Sequence, residues 1–125
     1  MIVIGYSGHA FVICGILHAA GKKVIGYCDV IEKEYNPFNL PYYGTENAEA
    51  ALQAIKQNGF FIAVGDNLLR NKIHDNLQEK NLAPVNVIHP SAVIDPSATI
   101  AAAGVMIAAN ATINPLATIG TGVIC

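Results

Sequence analysis

The chain has 125 residues, with 7 basic and 9 acidic side chains for a formal net charge of −2, and 53% of it is hydrophobic. That length admits one ordinary domain, or one small domain with part of another. No Lys/Arg cluster exists to displace counterions from a phosphate backbone, so nucleic acid is not an expected partner. The longest apolar run, Ala10 to Ala20, contains Gly15 and His18 and falls short of the roughly 20 residues that a membrane span needs.

The opening MIVIGY has no basic residues ahead of its apolar stretch, so a secretory leader is not expected. Mean hydropathy is +0.41, and the excess is Ala, Val and Ile spread along the chain, which fits buried strands. Cys14, Cys28 and Cys125 form an odd set without Cys-x-x-Cys spacing and read as buried thiols of a reducing, cytoplasmic compartment. His9, His18, His74 and His89 show no i, i+4 pairing, so no metal is expected.

Met1 to Gly5 is a continuous β-rich apolar run, the pattern of a strand covered on both faces. The turn Gly5-Tyr6-Ser7-Gly8-His9-Ala10 follows, then Phe11 to Ala20 as a well-buried helix, which Gly21 ends as a C′ residue. Lys23 to Cys28 is a second strand closing at Asp29. This β-turn-α-β order opens a parallel, Rossmann-like α/β sheet. Residues 36–43, with two prolines and two asparagines, predict a loop running into a short edge strand. Thr45 predicts an N-cap, with Glu46 and Glu49 favouring the positive helix end and Gly59 stopping the helix. Phe60 to Val64 is a third strand, closed by Gly65-Asp66-Asn67. In the last helix Leu68, Leu69, Ile73 and Leu77 share one face, and Pro84 marks a boundary.

Ligands of such sheets sit beyond the C-terminal ends of the strands, which here carry Gly5 to His9, Asp29, and Gly65 to Asn67. Gly5 and Gly8 allow backbone N–H groups and a helix N-terminus to approach a phosphate, or else serve a tight turn without a ligand. A dinucleotide fingerprint would place glycines at 5, 7 and 10; the chain has Gly5, Ser7 and Ala10, with Asp29 where an acid would hold a ribose. There are too few residues for a second mononucleotide half, so a small NAD-linked reductase ranks last among the readings. A nucleophile elbow fails because His9 takes the place of its final glycine. Ser7 is then a hydrogen-bond donor to phosphate or a turn residue. His9 either donates to a bound phosphate or caps the helix. Asp66 either pairs with Arg70 at i, i+4 or faces the ligand. His18 and His74 read as structural.

The last third is a repeat. Ile88, Ile94 and Ile100 are six apart, and Ile107, Ile113 and Ile119 resume the spacing after a one-residue slip. Four places after these come Ala92, Ala98, Gly104, Ala111 and Ala117, with only Val123 larger. Aliphatic-inside and small-at-the-corner every six residues is the signature of a hexapeptide β-helix. An Ala-rich helix is excluded by Pro90, Pro96 and Pro115. Six hexapeptides make about two coils, and the pattern is still running at Cys125, so further chain or a covering partner is expected there.

Taken in order across the whole chain, several segments resemble one family. They are Gly5-Tyr6-Ser7-Gly8-His9-Ala10, Gly26-Tyr27-Cys28-Asp29, Gly44-Thr45, Ala63-Val64-Gly65-Asp66-Asn67 with Arg70, and His89-Pro90-Ser91-Ala92. Together they resemble the hexapeptide-repeat sugar O-/N-acyltransferases of bacterial glycan pathways, of the NeuD (sialic acid O-acetyltransferase) and PglD (UDP-amino-sugar N-acetyltransferase) type. The resemblance implies a Rossmann-like acceptor domain over residues 1–84 and the first part of a left-handed parallel β-helix over residues 85–125. It implies a homotrimer with acetyl-CoA as co-substrate between neighbouring prisms, no metal, and a nucleotide-activated amino- or hydroxy-sugar as acceptor. Gly5, Ser7, Gly8 and His9 would face the acceptor's phosphates or sugar, Asp29 its nucleoside end, and Gly65 and Asp66 the same cleft. The family's catalytic histidine belongs to an Asn-Thr-Gly-Ala…His-type segment, expected just after Cys125. Residues 1–125 alone are therefore expected to bind the acceptor without turning it over, and His89 reads as structural or acceptor-proximal. The alternative is a non-catalytic module that binds a nucleotide sugar or forms trimers.

Overall fold

The computed structural model describes residues 1–125. Its first layer is a parallel sheet of order β2-β1-β3, made of β1 (Ile2–Ile4), β2 (Gly26–Cys28) and β3 (Phe60–Ile62), all three buried along their length. The strands are apolar on both faces because both faces are covered. On one side α2 (Glu49–Asn58) and α3 (Asn67–Gln78) bring Ala51, Ala54, Ile55, Ile73 and Leu77 onto Ile2, Ile4, Phe60 and Ile62. On the other, α1 (Gly8–Ala19) sets Ala10, Ile13, Cys14 and Leu17 against Val3, Tyr27 and Phe61.

Gly21 closes α1 as its sequence predicts: Gly21 N–H donates to His18 O and Lys22 N–H to Leu17 O. Thr45 does not cap α2. Its carbonyl accepts from Ala48 N–H in a preliminary turn, and the helix begins at Glu49 with Ala48 in the N-cap place. The edge strand expected after residue 36 is reduced to one parallel bridge, Tyr27 with Tyr42. Asn36 rolls the preceding segment into a loop, its side chain bonding both the N–H and the C=O of Leu40. His18 lies exposed in the last turn of α1.

From Val87 the chain builds six two-residue strands: β4 (Val87–Ile88), β5 (Val93–Ile94), β6 (Thr99–Ile100), β7 (Met106–Ile107), β8 (Thr112–Ile113) and β9 (Thr118–Ile119). They pair in parallel as β4-β7, β5-β8 and β6-β9, so two successive three-sided coils stack strand on strand. Ile88, Ile94, Ile100, Ile107, Ile113 and Ile119 share the interior with Ala92, Ala98, Ala111 and Ala117, as the six-residue spacing predicts. Corners are stitched by hydroxyls: Asn110 N–H donates to Ser91 Oγ and Leu116 N–H to Ser97 Oγ, each 19 residues away.

The one-residue slip lies in the third corner of the first coil. Five residues separate β6 from β7, against four at the two preceding corners. Asn86 brackets this wider corner, donating to Ala101 O and accepting from Val105 N–H. Gly104 adopts φ +70° there, and a Cβ on it would stand 3.1 Å from Pro84 Cγ, so the corner is fitted directly to the end of the α/β layer. Val87 and Met106 complete the joint by packing into the same hydrophobic cluster as Tyr6, Ala10 and Phe61. No helix is long and apolar enough to cross a membrane.

Candidate functional site

The ends of β1, β2 and β3 bring together the residues singled out in the sequence. Gly5 has φ +89°, and a Cβ on it would stand 2.9 Å from Val64 Cγ2 and 3.0 Å from Ala63 O. Its N–H donates to Cys28 O at 2.7 Å. Gly5 therefore answers the close passage of neighbouring strand ends, whatever ligand lies above it.

Ser7 and Gly8 are both exposed at the start of α1. Ser7 is extended and takes the N-cap place, but its hydroxyl makes no cap hydrogen bond. The first helical bond is Phe11 N–H to Ser7 O, which leaves the N–H groups of Gly8, His9 and Ala10 without helical acceptors. A Cβ on Gly8 would meet nothing within 4 Å. This is an open, uncapped, positive helix end. The contrast lies at the neighbouring strand end: Asp66 is the N-cap of α3, and its Oδ1 accepts from Leu69 N–H at 2.8 Å. α3 has its own anion built in, and α1 has none.

His9 stands beside Gly65, whose Cβ position would be 3.9 Å from His9 Cβ. Its Nε2 is enclosed and has no hydrogen-bond partner. Burial, reinforced by the nearby Arg70 guanidinium, holds the imidazole below its ordinary value, so the ring is neutral near pH 7. An unmatched buried nitrogen is costly by about 1–3 kcal/mol. His9 does not cap the helix with Nε2.

Asp29 is more engaged than its sequence position suggests. Oδ2 accepts from Tyr6 N–H at 3.0 Å, Oδ1 from Val30 N–H at 2.7 Å, and Lys33 Nζ lies 3.7 Å away. The carboxylate thus ties the end of β2 to the glycine turn and keeps only its remaining lone pairs for anything else.

The expected Asp66–Arg70 pair does not form. Arg70 Nη1 donates instead to Val64 O at 3.1 Å and Gly65 O at 3.4 Å, and Nη2 donates to Asn67 Oδ1 at 2.6 Å. A guanidinium fork can hold several acceptors at once, and this one clamps the β3–α3 turn. Sequence reasoning also missed Tyr6. Its hydroxyl donates to Asn36 Oδ1 at 2.8 Å and accepts from Phe38 N–H at 3.1 Å, while its ring stacks on Tyr27 at 4.3 Å. An aromatic residue inside a glycine turn was the available signal. No group of three or more His, Cys, Asp or Glu side chains could hold a metal.

His89 lies away from this cleft, in the first corner of the coils. Its Nδ1 accepts from Ser91 N–H at 3.0 Å, the same task that Asp95 Oδ1 performs for Ser97 N–H one repeat later. Its role is that of a turn residue.

The family model of the PglD N-terminal domain matches residues 1–77. A mutant of GDP-perosamine N-acetyltransferase from Caulobacter crescentus, solved in complex with CoA and GDP-perosamine, superposes with a TM-score of 0.82 at 33% identity. That match covers 98% of this chain and 58% of the other. The acetyltransferase domain of PglB from Neisseria gonorrhoeae FA1090, in complex with acetyl coenzyme A, gives 0.82 at 28% identity over 98% of this chain and 59% of its own. The chain thus spans somewhat under three fifths of the length of these structures. No curated protein matches it.

Proposed function

The chain belongs to the family of the PglD N-terminal domain, and we propose that it is the acceptor-binding part and first coils of an acetyl-CoA-dependent sugar acetyltransferase. The acceptor in this reading is a nucleotide-activated amino- or hydroxy-sugar. The observation that carries it is the uncapped N-terminus of α1, open above Gly8 and set beside a neutral His9, at the strand ends of a sheet like those of the acetyltransferases above.

The geometry supports the following division of labour. The free N–H groups of Gly8, His9 and Ala10 and the Ser7 hydroxyl would hold the pyrophosphate, with the helix dipole adding to the attraction. His9 would donate a hydrogen bond without adding a proton to the site. Asp29 would shape the nucleoside end chiefly by fixing Tyr6 and Val30. The acetyl group comes from acetyl-CoA, and transfer to an amine or hydroxyl needs a base within hydrogen-bond reach. His89 is committed to Ser91, so it is not proposed as that base. The two coils are read as the start of a left-handed parallel β-helix that trimerises.

The test is calorimetric titration with GDP-perosamine, and with a UDP-linked amino-sugar, against the wild-type chain and Gly8→Asp. A carboxylate at Gly8 meets open space and favours the helix, so folding survives while phosphate is repelled. Saturable binding lost in Gly8→Asp supports the reading. Equal binding by both chains, or no binding by the wild type, refutes it.

A further inference from the structure

A cleft of about 480 Å³ lies at the end of the sheet opposite the candidate site. Met1, Lys23 and Asn58, which line it, stand just ahead of β1, β2 and β3. Its far wall is the start of the coils, at Val85, Val87 and Ile88. We propose that this cleft binds a small amphipathic anion, an aliphatic chain ending in a carboxylate. The site stands apart from the nucleotide-sugar reading and does not depend on it.

Three observations carry it. The walls are mainly apolar: Ile16 and Leu17 come from α1, and Val85, Val87 and Ile88 from the joint with the coils. Ile16, Leu17 and Val87 are otherwise buried, so an aliphatic chain in the cleft would extend an existing core. Ala20, at the C-cap of α1, contributes only a methyl group and leaves the space open. The volume falls within the roughly 300–1,000 Å³ of small-molecule sites.

The second observation is charge. Lys22 and Lys23 line the cleft, and they are the only two basic residues adjacent in the sequence. Neither forms an ion pair; the pairs in the molecule are Lys33 with Asp29 and His74 with Asp75. No Asp or Glu lines the cleft. Its carboxamides are already engaged, Asn86 with Ala101 O and Val105 N–H, and Asn58 with Ala54 O. The unmatched polar groups are thus cations, and their complement is an anion.

The third observation is where the lysines stand. Both also line a second cleft, of about 360 Å³, together with Val24, Phe38 and Leu40. The adjacent basic pair therefore sits where two apolar spaces meet, and both lysines are exposed. A lysine on such a ridge lays its methylene stem along the apolar wall and keeps its ammonium in water. A carboxylate at the rim would meet that ammonium while its chain filled the larger cleft.

The experiment is calorimetric titration with octanoate, octan-1-ol and acetate. The chains are the wild type, the double variant Lys22→Gln/Lys23→Gln, Ala20→Trp and Gly8→Asp. Lys22, Lys23, Ala20 and Gly8 are all exposed, so each unliganded variant should keep the wild-type thermal midpoint. The wild type is expected to bind octanoate with a Kd below about 1 mM, at least about tenfold tighter than octan-1-ol or acetate. The lysine double variant should lose that margin and keep its affinity for octan-1-ol. Ala20→Trp fills the cleft and should weaken octanoate and octan-1-ol alike, by at least about tenfold. Gly8→Asp should bind octanoate as the wild type does, since it lies at the other end of the sheet. The assignment is overturned by a wild type without saturable octanoate binding, or by equal affinity for octanoate and octan-1-ol. Octanoate affinity unchanged in the lysine variant or in Ala20→Trp overturns it too. So does a loss confined to Gly8→Asp, which would put the carboxylate on the α1 terminus instead.

Discussion

The two halves of the molecule are both parallel β structures, yet they are held by different means. The α/β layer depends on large, dissimilar side chains. Tyr6, Tyr27 and Phe60 are fully buried, each with its own set of neighbours. The coils repeat one environment: an isoleucine over an isoleucine, an alanine at the next corner, and a hydroxyl bonded to an amide 19 residues on. Unique packing concentrates stability in single residues, while repetition spreads it along the ladder.

That contrast is open to attack at several points. Tyr27→Ala removes a ring that stacks on Tyr6 and a hydroxyl that accepts from Lys33 N–H. It should cost about 4 kcal/mol, against about 2 for Ile113→Ala, which also lies in a core but among small neighbours. Urea midpoints at constant slope would measure both, and a larger loss at Ile113 would break the comparison. Asn86→Ala strands Val105 N–H and Ala101 O at the widened corner and should cost about 2 kcal/mol in the same assay. Ser91→Ala and Ser97→Ala should cost about 1 kcal/mol each and add in the double variant. A double loss far above the sum would mean that the corners cooperate and that the stack is less modular than described.

Two smaller effects sharpen the picture from the α/β side. The folded protein holds His9 below its ordinary value of 6.5, so the unfolded chain takes up the proton first as pH falls. Stability present at neutral pH is therefore lost progressively below about pH 6.5, down through the lower folded value. Denaturation midpoints followed from about pH 7 to about pH 5 should slope more steeply for the wild type than for His9→Gln; parallel curves would remove His9 from the account. Burial pushes the Cys14 thiol up to about 11 and the Cys28 thiol up to about 12, so neither offers a thiolate near neutral pH. Mass-mapped labelling of the native protein should modify Cys125 and spare the other two.

The coils were legible in the sequence because repetition writes the same constraint many times: the six-residue isoleucine spacing and its single slip both have direct counterparts in the strand pairing. The order β-α-β and the Gly21 stop were legible for a similar reason, since each depends on local spacing. Side-chain partners were not. Thr45 looked like a cap from its neighbours, but its carbonyl closes a preliminary turn with Ala48 N–H and the helix starts at Glu49. Arg70 is four residues from Asp66, and on a bare helix that spacing favours an ion pair. Two carbonyls at the end of β3 and the Asn67 side chain take the guanidinium instead. Asp29, too, was placed correctly at a strand end while its obligation to Tyr6 N–H, 23 residues earlier, depended on the folded turn.

The joint at Pro84 has a mechanical consequence. Val87 and Met106 belong to the cluster that includes Tyr6 and Ala10, and Gly104 is shaped to Pro84, so nothing at the boundary resembles a hinge. The two segments should melt in one transition and tumble as one body. On the proposed function, a ligand at the strand ends would have its bearing relative to the coils fixed when the chain folds.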